Sequence, residues 1–428
     1  MAGEWQLVKF GDLLISGTRN GIYKGKVFHG SGVKIVNMGE LFAHPRLRDV
    51  PMKRVELTEA ELEKSSLEAG DLLFARRSLV AEGAGKCSIV MEINEPTTFE
   101  SSIIRARPDS TRADSLFLYY MFNSPQGRYL LGTILRQVAV SGITGTDLIK
   151  LRVPKLPIMQ QKAIACILGS LDDKIEVNRK MNETLEGMAR AIFKYFFVDF
   201  GPVKEKIHPH LKSSPKGRGC LPKHVLDLFP DSFQNSELGK IPKGWEMVSL
   251  GDLIEFVKGK KPPETANGPG DNLFPVILID TFDSGASIYA NAEGMVHAYS
   301  DDVLMVMDGA SSGRVETGHE GLVGSTIAKL TPKGSRPGKR FLYYFLKYIE
   351  SETRDHLTGT SIPHADKGWI SQQNIYIPSS ARLLEQFEHF SHFVRERITD
   401  NLKQSHTLAA IRDSLLPKLL SGEIRVKV

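Results

Sequence analysis

The feature that most constrains this chain is that its sequence is written twice. Trp5-x-x-Val8-x-x-Gly11-Asp12-Leu13 returns as Trp245-x-x-Val248-x-x-Gly251-Asp252-Leu253. Asp71-Leu72-Leu73-Phe74 is answered by Asp302-Val303-Leu304-Met305, and Leu151-Arg152-Val153-Pro154 by Ile375-Tyr376-Ile377-Pro378. Phe117-Leu118-Tyr119-Tyr120 recurs letter for letter as Phe341-Leu342-Tyr343-Tyr344. Four matches in one order, with a separation that shortens along the chain, are the signature of two copies of one fold with shorter loops in the second. At 428 residues the chain is too long for one ordinary core; the duplication supplies its division.

Each copy has a front and a back. In the front part of the first copy, short apolar runs alternate with glycine: Val33–Val36, Asp71–Phe74, Ser88–Met91 and Ser102–Ala106. Those of the second are Pro275–Ile279, Val303–Met307 and Thr326–Leu330. They predict strands, with one helix carrying Phe-Leu-Tyr-Tyr, so each front part reads as an α+β domain. The back part reads as a long helix. From Gln160 to Phe197 there is no proline, and steps of four and three from Leu171 pass through Ile175, Asn178, Asn182, Leu185, Ala189, Ile192 and Phe196. This is a coiled-coil seam interrupted by two asparagines. The second copy repeats it as Val394, Ile398, Asn401, Ser405, Leu408, Arg412, Leu415 and Leu419. The polar interruption falls at the same place in both. If the helices pack antiparallel, Asn178, Asn182, Asn401 and Ser405 meet, and buried polar pairs there fix the register. A helix of this length is about 57 Å long, a spacer more than a core element.

The fold class expected is therefore α+β with an internal duplication: two α+β domains separated by two long antiparallel coiled-coil helices. The boundaries read 1–158 for the first domain, 159–200 for its helix, 201–244 for a connector, 245–380 for the second domain and 381–428 for its helix. Six prolines, from Pro202 to Pro242, make the connector an extended segment.

Composition narrows the function by exclusion. Hydrophobic residues are 41% and charged residues 25%, the balance of a globular chain. The longest apolar runs, Ala191–Val198 and Phe274–Ile279, fall far short of the roughly 20 residues that span a bilayer. Met1–Trp5 has no basic-then-apolar leader, so the expected location is cytoplasmic. Cys87, Cys166 and Cys220 are too far apart for a cysteine-rich zinc site. The net charge of +5, from 55 bases against 50 acids, permits nucleic-acid binding without arguing for it. Gly83-Ala84-Gly85-Lys86-Cys87 lacks the first glycine and the hydroxyl of a phosphate loop. Pro230-Asp231 with Glu237 and Lys240 imitates a nuclease signature inside the connector, and His319-Glu320 has no second histidine for a zinc-protease helix. No catalytic residue and no metal site are expected in this chain.

The central segment carries a specific likeness. Leu156-Pro157, Gln161, Ile164-Ala165, Ile167-Leu168-Gly169-Ser170-Leu171-Asp172-Asp173-Lys174-Ile175-Glu176 and Asn178 are followed by Met181-Asn182, Thr184-Leu185-Glu186, Met188-Ala189 and Ala191-Ile192-Phe193-Lys194. With Glu237–Trp245 before the second copy and Leu415–Ile424 at the end, this pattern resembles the specificity subunit of type I restriction–modification systems. The resemblance implies two target-recognition domains, each reading one half of a split, asymmetric sequence in double-stranded DNA. The helices would set their separation. It implies two modification subunits, which carry S-adenosylmethionine and methylate adenine, and two restriction subunits driven by ATP with Mg. This chain would then hold no cofactor, span no membrane and catalyse nothing itself. Two rival readings are a coiled-coil scaffold that does not read DNA and a stand-alone DNA-modifying enzyme.

Base readout needs Arg, Lys, Asn, Gln, Ser or Thr on loops that reach groove edges. In the first domain the basic, glycine-spaced stretch Ser16–Lys26 supplies Thr18, Arg19, Asn20, Lys24 and Lys26. The loop after Phe74 supplies Arg76, Arg77 and Lys86, and Ser141–Thr146 supplies Ser141 and Thr144. The corresponding second-domain stretches supply Lys258, Lys260 and Lys261; Ser311, Ser312 and Arg314; and His364 and Lys367.

Overall fold

The computed structural model describes residues 5–78, 83–136, 141–208, 221–237, 239–285, 288–359 and 361–426. Residues 79–82 of the loop between Arg76 and Lys86, Thr360, and connector residues 209–220 with Cys220 lie outside the described residues. The chain divides into two compact units, residues 1–177 with 404–428, and residues 178–403. Each unit holds one α+β head and part of both long helices, Ile158–Phe197 and Ala381–Ser421.

In the first unit a five-stranded sheet runs in the order Arg19–Asn20, Ile103–Ala106, Leu72–Ala75, Cys87–Val90, Arg46–Leu47. Side chains of a strand alternate between faces. Leu72 and Phe74 enter one core, and Leu73 and Ala75 another on the opposite face. Cover on both faces explains why the central strand is apolar throughout rather than alternating. A three-stranded sheet, Lys53–Val55, His29–Val36 and Thr97–Phe99, lies beside the second core. The helix Ser115–Asn123 buries Phe117 to Phe122, and Asp114 caps it by accepting the Phe117 N–H at 2.8 Å. Ile164, Ala165 and Leu168 from the first long helix and Leu416, Leu419 and Leu420 from the second complete this core. The head closes on itself: Leu7–Lys9 pairs antiparallel with Arg152–Pro154.

The second unit repeats this plan with different side chains. One four-stranded sheet runs Ile254–Lys258, Ile327–Pro332, Val303–Val306, Val315–Glu316, and another Tyr289–Asn291, Leu273–Ile277, Gly321–Val323, His297–Ala298. Its closing ribbon pairs Trp245–Ser249 with Asn374–Pro378. Phe193 and Phe197 of the first long helix and Phe387 of the second surround Phe341, all at ring distances of 4.8–6.2 Å. The repeated aspartate keeps its role. Asp71 accepts the Glu68 N–H at 2.8 Å and is held by Arg107, while Asp302 accepts the Tyr299 N–H at 2.9 Å and is held by Lys339.

The helix cap does not repeat. Where the first copy has Asp114, the second has Gly338, and the Phe341 N–H donates to Glu388 Oε1 of the long helix at 2.8 Å. A Cβ on Gly338 would sit 2.4 Å from that oxygen, so the glycine makes room for the cap. Burial raises the Glu388 pKa above its ordinary 4.5, against the lowering effect of the Phe341 N–H and Arg340. A raised folded pKa means that this group's contribution is fully present below 4.5 and is lost as pH rises through the higher folded value. Glu388→Gln keeps an acceptor oxygen without the charge. Its unfolding free energy should lack the part of the decline that the wild type shows above pH 4.5. Identical pH profiles for the two proteins would contradict this.

The connector departs from the extended segment expected of it. It contains a helix at Gly201–Ile207, a short one at Lys223–Leu226, and a hairpin pairing Phe233–Ser236 with Gly239–Pro242. Pro202 sits in the first turn of its helix, where a missing N–H costs nothing, and Pro242 ends a hairpin strand. Phe200, Val203 and Phe229 are buried in the second unit's core.

Candidate nucleic-acid interface

The polar seam is resolved within the second unit. Asn178 is fully buried and donates from Nδ2 to the Asn401 carbonyl at 3.3 Å. Asn401 Nδ2 donates to Asn182 Oδ1 at 2.7 Å, and Asn182 Nδ2 to the Ile398 carbonyl at 3.4 Å. These pairs run antiparallel. Ser405, half-buried, belongs to the first unit, where Asp172 and Arg412 show the same antiparallel sense. Within each unit the Phe-Leu-Tyr-Tyr helix is tied to both long helices through one acid. In the first, Tyr120 Oη donates to Asp172 at 2.6 Å, and Arg412 binds the same carboxylate at 2.6 Å. In the second, Tyr343 and Tyr344 donate to Glu186 at 3.0 and 3.4 Å, with Arg395 at 3.5 Å. Sequence reading placed these tyrosines on a helix and missed the acid–arginine ties. Arg412, standing at a seam position, was the available signal.

In the first head three stretches far apart in sequence converge. Arg19–Asn20 forms the edge strand beside Ile104 and Arg105. Arg77–Ser78 pairs with Ser141–Gly142, and the Ile143 N–H donates to the Arg76 carbonyl at 3.0 Å. Gly145 lies so close to Thr18 that a Cβ there would be 2.2 Å from Thr18 Oγ1. Thr144 caps the short helix Gly145–Leu148 and hydrogen-bonds Asp147, which with Arg136 holds the Asp147 carboxyl below its usual range. Arg19, Asn20 and Arg77 are exposed, and no described carboxylate pairs with Arg19 or Arg77. Arg76 is turned to the Ser101 carbonyl.

Other expected contacts are already engaged. Lys24 binds Glu61 at 2.8 Å and lies over the Phe28 ring; that ammonium and the Thr58 N–H hold the Glu61 pKa at about 2. Lys26, by contrast, is exposed at the start of a 3-10 turn. Lys86 lies over Phe42 and donates to its carbonyl, and burial lowers its pKa.

The second head gathers its loops around an aspartate. Lys258 Nζ lies 3.3 Å from Asp308 Oδ2, and His364 Nδ1 lies 2.8 Å from Asp308 Oδ1. The Gly309 N–H donates to the Pro363 carbonyl, so the three stretches again meet. Burial raises the Asp308 pKa, and the His364 and Lys258 hydrogen bonds more than reverse it, leaving a net lowering. Ser311 is half-buried and Lys261 exposed. Lys260 donates to the Gly294 carbonyl at 2.7 Å, and Lys367 lies over Phe256. Two of the expected residues are held within the protein. Ser312 is 1% exposed, its hydroxyl donating to the Gly309 and Pro363 carbonyls, so it shapes the loop. Arg314 is clamped by Asp283 at 2.7 Å and Glu316 at 2.8 Å, which raise its pKa. Sequence reading passed over Asp308, because an acid is not what a DNA-binding loop advertises.

Exposed guanidinium, ammonium, amide and hydroxyl groups on converging loops are what a polyanion with readable edges requires. Among the described residues no group of three or more His, Cys, Asp or Glu is placed to hold a metal ion. Comparison with known proteins gives the arrangement a family. The model of the type I restriction modification DNA specificity domain matches residues 2–187 and again 242–404. The chain belongs to that family. The two matched segments are the two sequence copies, so the duplication is one of specificity domains. The MjaIX specificity subunit of Methanocaldococcus jannaschii is 25% identical over 385 residues, 85% of this chain and 82% of its own. The HindI specificity subunit of Haemophilus influenzae is 25% identical over 411 residues, 84% of this chain and 88% of its own. The crystal structure of the type I S subunit from M. genitalium shares the fold, with a TM-score of 0.56 at 16% identity and coverage of 97% and 96%. Specificity subunits bind DNA and assemble with other subunits of their complex. Among the described residues of this one, no helix is long and apolar enough to cross a membrane.

Proposed function

We propose that this chain is the sequence-specificity subunit of a type I restriction–modification complex, each head reading one half of a bipartite, asymmetric DNA site. The match of the specificity-domain model to both copies carries this reading. The heads present different chemistry at corresponding loops: unpaired Arg19 and Arg77 in the first, the Lys258–Asp308–His364 cluster in the second. Unequal readers suit an asymmetric site, which two identical heads would not.

Within this proposal Thr18, Arg19, Asn20, Arg77, Ser141, Lys258, Lys261, Ser311 and His364 face DNA. The long helices set the unread spacer and dock two modification subunits, and two restriction subunits complete the complex in the cytoplasm. The chemistry belongs to those partners: adenine methylation with S-adenosylmethionine, and cleavage driven by ATP and Mg. The scaffold reading leaves the loop convergence in both heads without a purpose.

Methylome sequencing of a host with and without this chain tests the proposal. Adenine methylation at one split, asymmetric motif should appear only with the chain. Methylation that continues unchanged without it, or DNA modification by the purified chain alone, would refute it.

A further inference from the structure

The two copies differ in what covers the outer face of the closing ribbon. In the second unit that face is capped from the connector. Phe200 lies edge-on to the Trp245 ring at 5.5 Å and to the Tyr376 ring at 5.5 Å, with Phe233 at 6.3 Å behind it. Phe200 holds a left-handed backbone, φ 52°, a conformation that a bulky residue keeps only when its surroundings demand it. Trp245 is left 3% exposed.

By the sequence matches, Trp245, Met247, Tyr376 and Pro378 correspond to Trp5, Leu7, Arg152 and Pro154 of the first unit. There the face is an open groove of about 790 Å³ lined by Trp5, Leu7, Pro125, Tyr129, Leu130 and Arg152. Leu7 is 50% exposed and Tyr129 75%. Trp5 donates to the Leu420 carbonyl at 2.9 Å and lies against Gly422, and among the described residues no aromatic ring packs on it as Phe200 packs on Trp245. Tryptophan, tyrosine and arginine around an apolar floor are the residue types that carry binding energy at protein interfaces. The ribbon adds a charge argument. Lys9 stands directly opposite Arg152, and no described carboxylate pairs with either. Like charges facing each other across a ribbon are unfavourable until an anion separates them.

We propose that this groove receives a turn of the modification subunit carrying an aromatic side chain beside a carboxylate. The ring lies on the groove floor between Trp5 and the Arg152 guanidinium, which attracts it by cation–π interaction. The carboxylate sits between Lys9 and Arg152. Phe200 is the precedent for the ring, and the carboxylate answers the Lys9 and Arg152 charges. The choice of partner rests on the proposed function; the chemistry of the turn rests on the groove.

The test titrates the full chain with the modification subunit and compares the wild type with Tyr129→Ala, Leu7→Glu and Tyr299→Ala. Both groove variants should weaken assembly by about tenfold or more. Tyr299, 58% exposed and outside the groove, should be replaceable without effect. Thermal midpoints of the free variants check that they fold. Hydrogen exchange on the unaltered complex adds a readout that needs no variant: residues 5–9 and 125–131 should gain protection on assembly. Wild-type affinity in both groove variants, or unchanged exchange in those segments, overturns the proposal and leaves the function standing. Concentration-dependent self-association of the free chain that Leu7→Glu abolishes assigns the groove to a second copy and also overturns it. If the unaltered chain fails to bind the modification subunit at all, both readings fall together.

Discussion

Asp172→Ala should destabilise the first unit by about 2–4 kcal/mol, below the full cost of breaking a buried ion pair because Arg412 is 28% exposed. The Asp172 side chain is 10% exposed and joins Arg412 and Tyr120, each at 2.6 Å. Burial pushes the Tyr120 phenol well above its ordinary pKa, and the Asp172 carboxylate adds to this, so the tyrosine remains a protonated donor. Truncation leaves the Tyr120 phenol without its acceptor and the Arg412 guanidinium, 28% exposed, with Asp413 alone. Asp172→Asn retains an acceptor and should cost less. Glu186→Ala makes the corresponding cut in the second unit, where the contacts are longer, at 3.0–3.5 Å, and the loss should be smaller, about 1–3 kcal/mol. Hydrogen exchange resolves the two. Asp172→Ala should deprotect the Phe-Leu-Tyr-Tyr helix at Ser115–Asn123 and leave the one at Lys339–Tyr348 protected. Equal deprotection of both would show that the acid does not act locally.

Replacing Arg19 and Arg77 together by alanine should lower affinity for the bipartite site by about a hundredfold or more, since each well-placed base contact is worth about 1–3 kcal/mol. The loss should be confined to one half-site. A duplex scrambled in the half read by the first head would then bind wild type and variant alike, whereas scrambling the other half would still weaken both. If the two arginines contact phosphates instead, binding falls uniformly across sequences and the salt slope drops by about two. Lys24→Ala is the informative contrast, because its ammonium is committed to Glu61 at 2.8 Å. A larger loss from Lys24→Ala than from the arginine pair would mean that the converging strands are not the reading surface.

Much of the architecture is legible without coordinates because repetition and periodicity are properties of the sequence. The matched motifs locate both heads, and the 3.5-residue spacing marks both long helices and the asparagine interruption in their seam. The connector misleads because Pro202 lies where a helix begins and Pro242 where a hairpin strand ends, so these prolines punctuate structure without preventing it. The cap exchange from Asp114 to Glu388 is invisible in a local window. Gly338 reads as an ordinary loop glycine until a carboxylate from the long helix is seen in its place.

The candidate site divides in the same way. The amino-acid order by itself determined that the chain is a duplicated α+β fold on long helices, and it named the basic, glycine-spaced stretches that reach outward. Only tertiary structure decided which of their side chains are free. Lys24 and Arg314 stand in stretches that read as DNA contacts just as those of Arg19 and Arg77 do, but carboxylates distant in sequence, Glu61 and Asp283, have already taken them. A hydrogen bond or ion pair depends on distances of a few ångströms between residues that the chain order leaves tens of positions apart. Spacing along the sequence can therefore announce a cation, but only the fold assigns its partner.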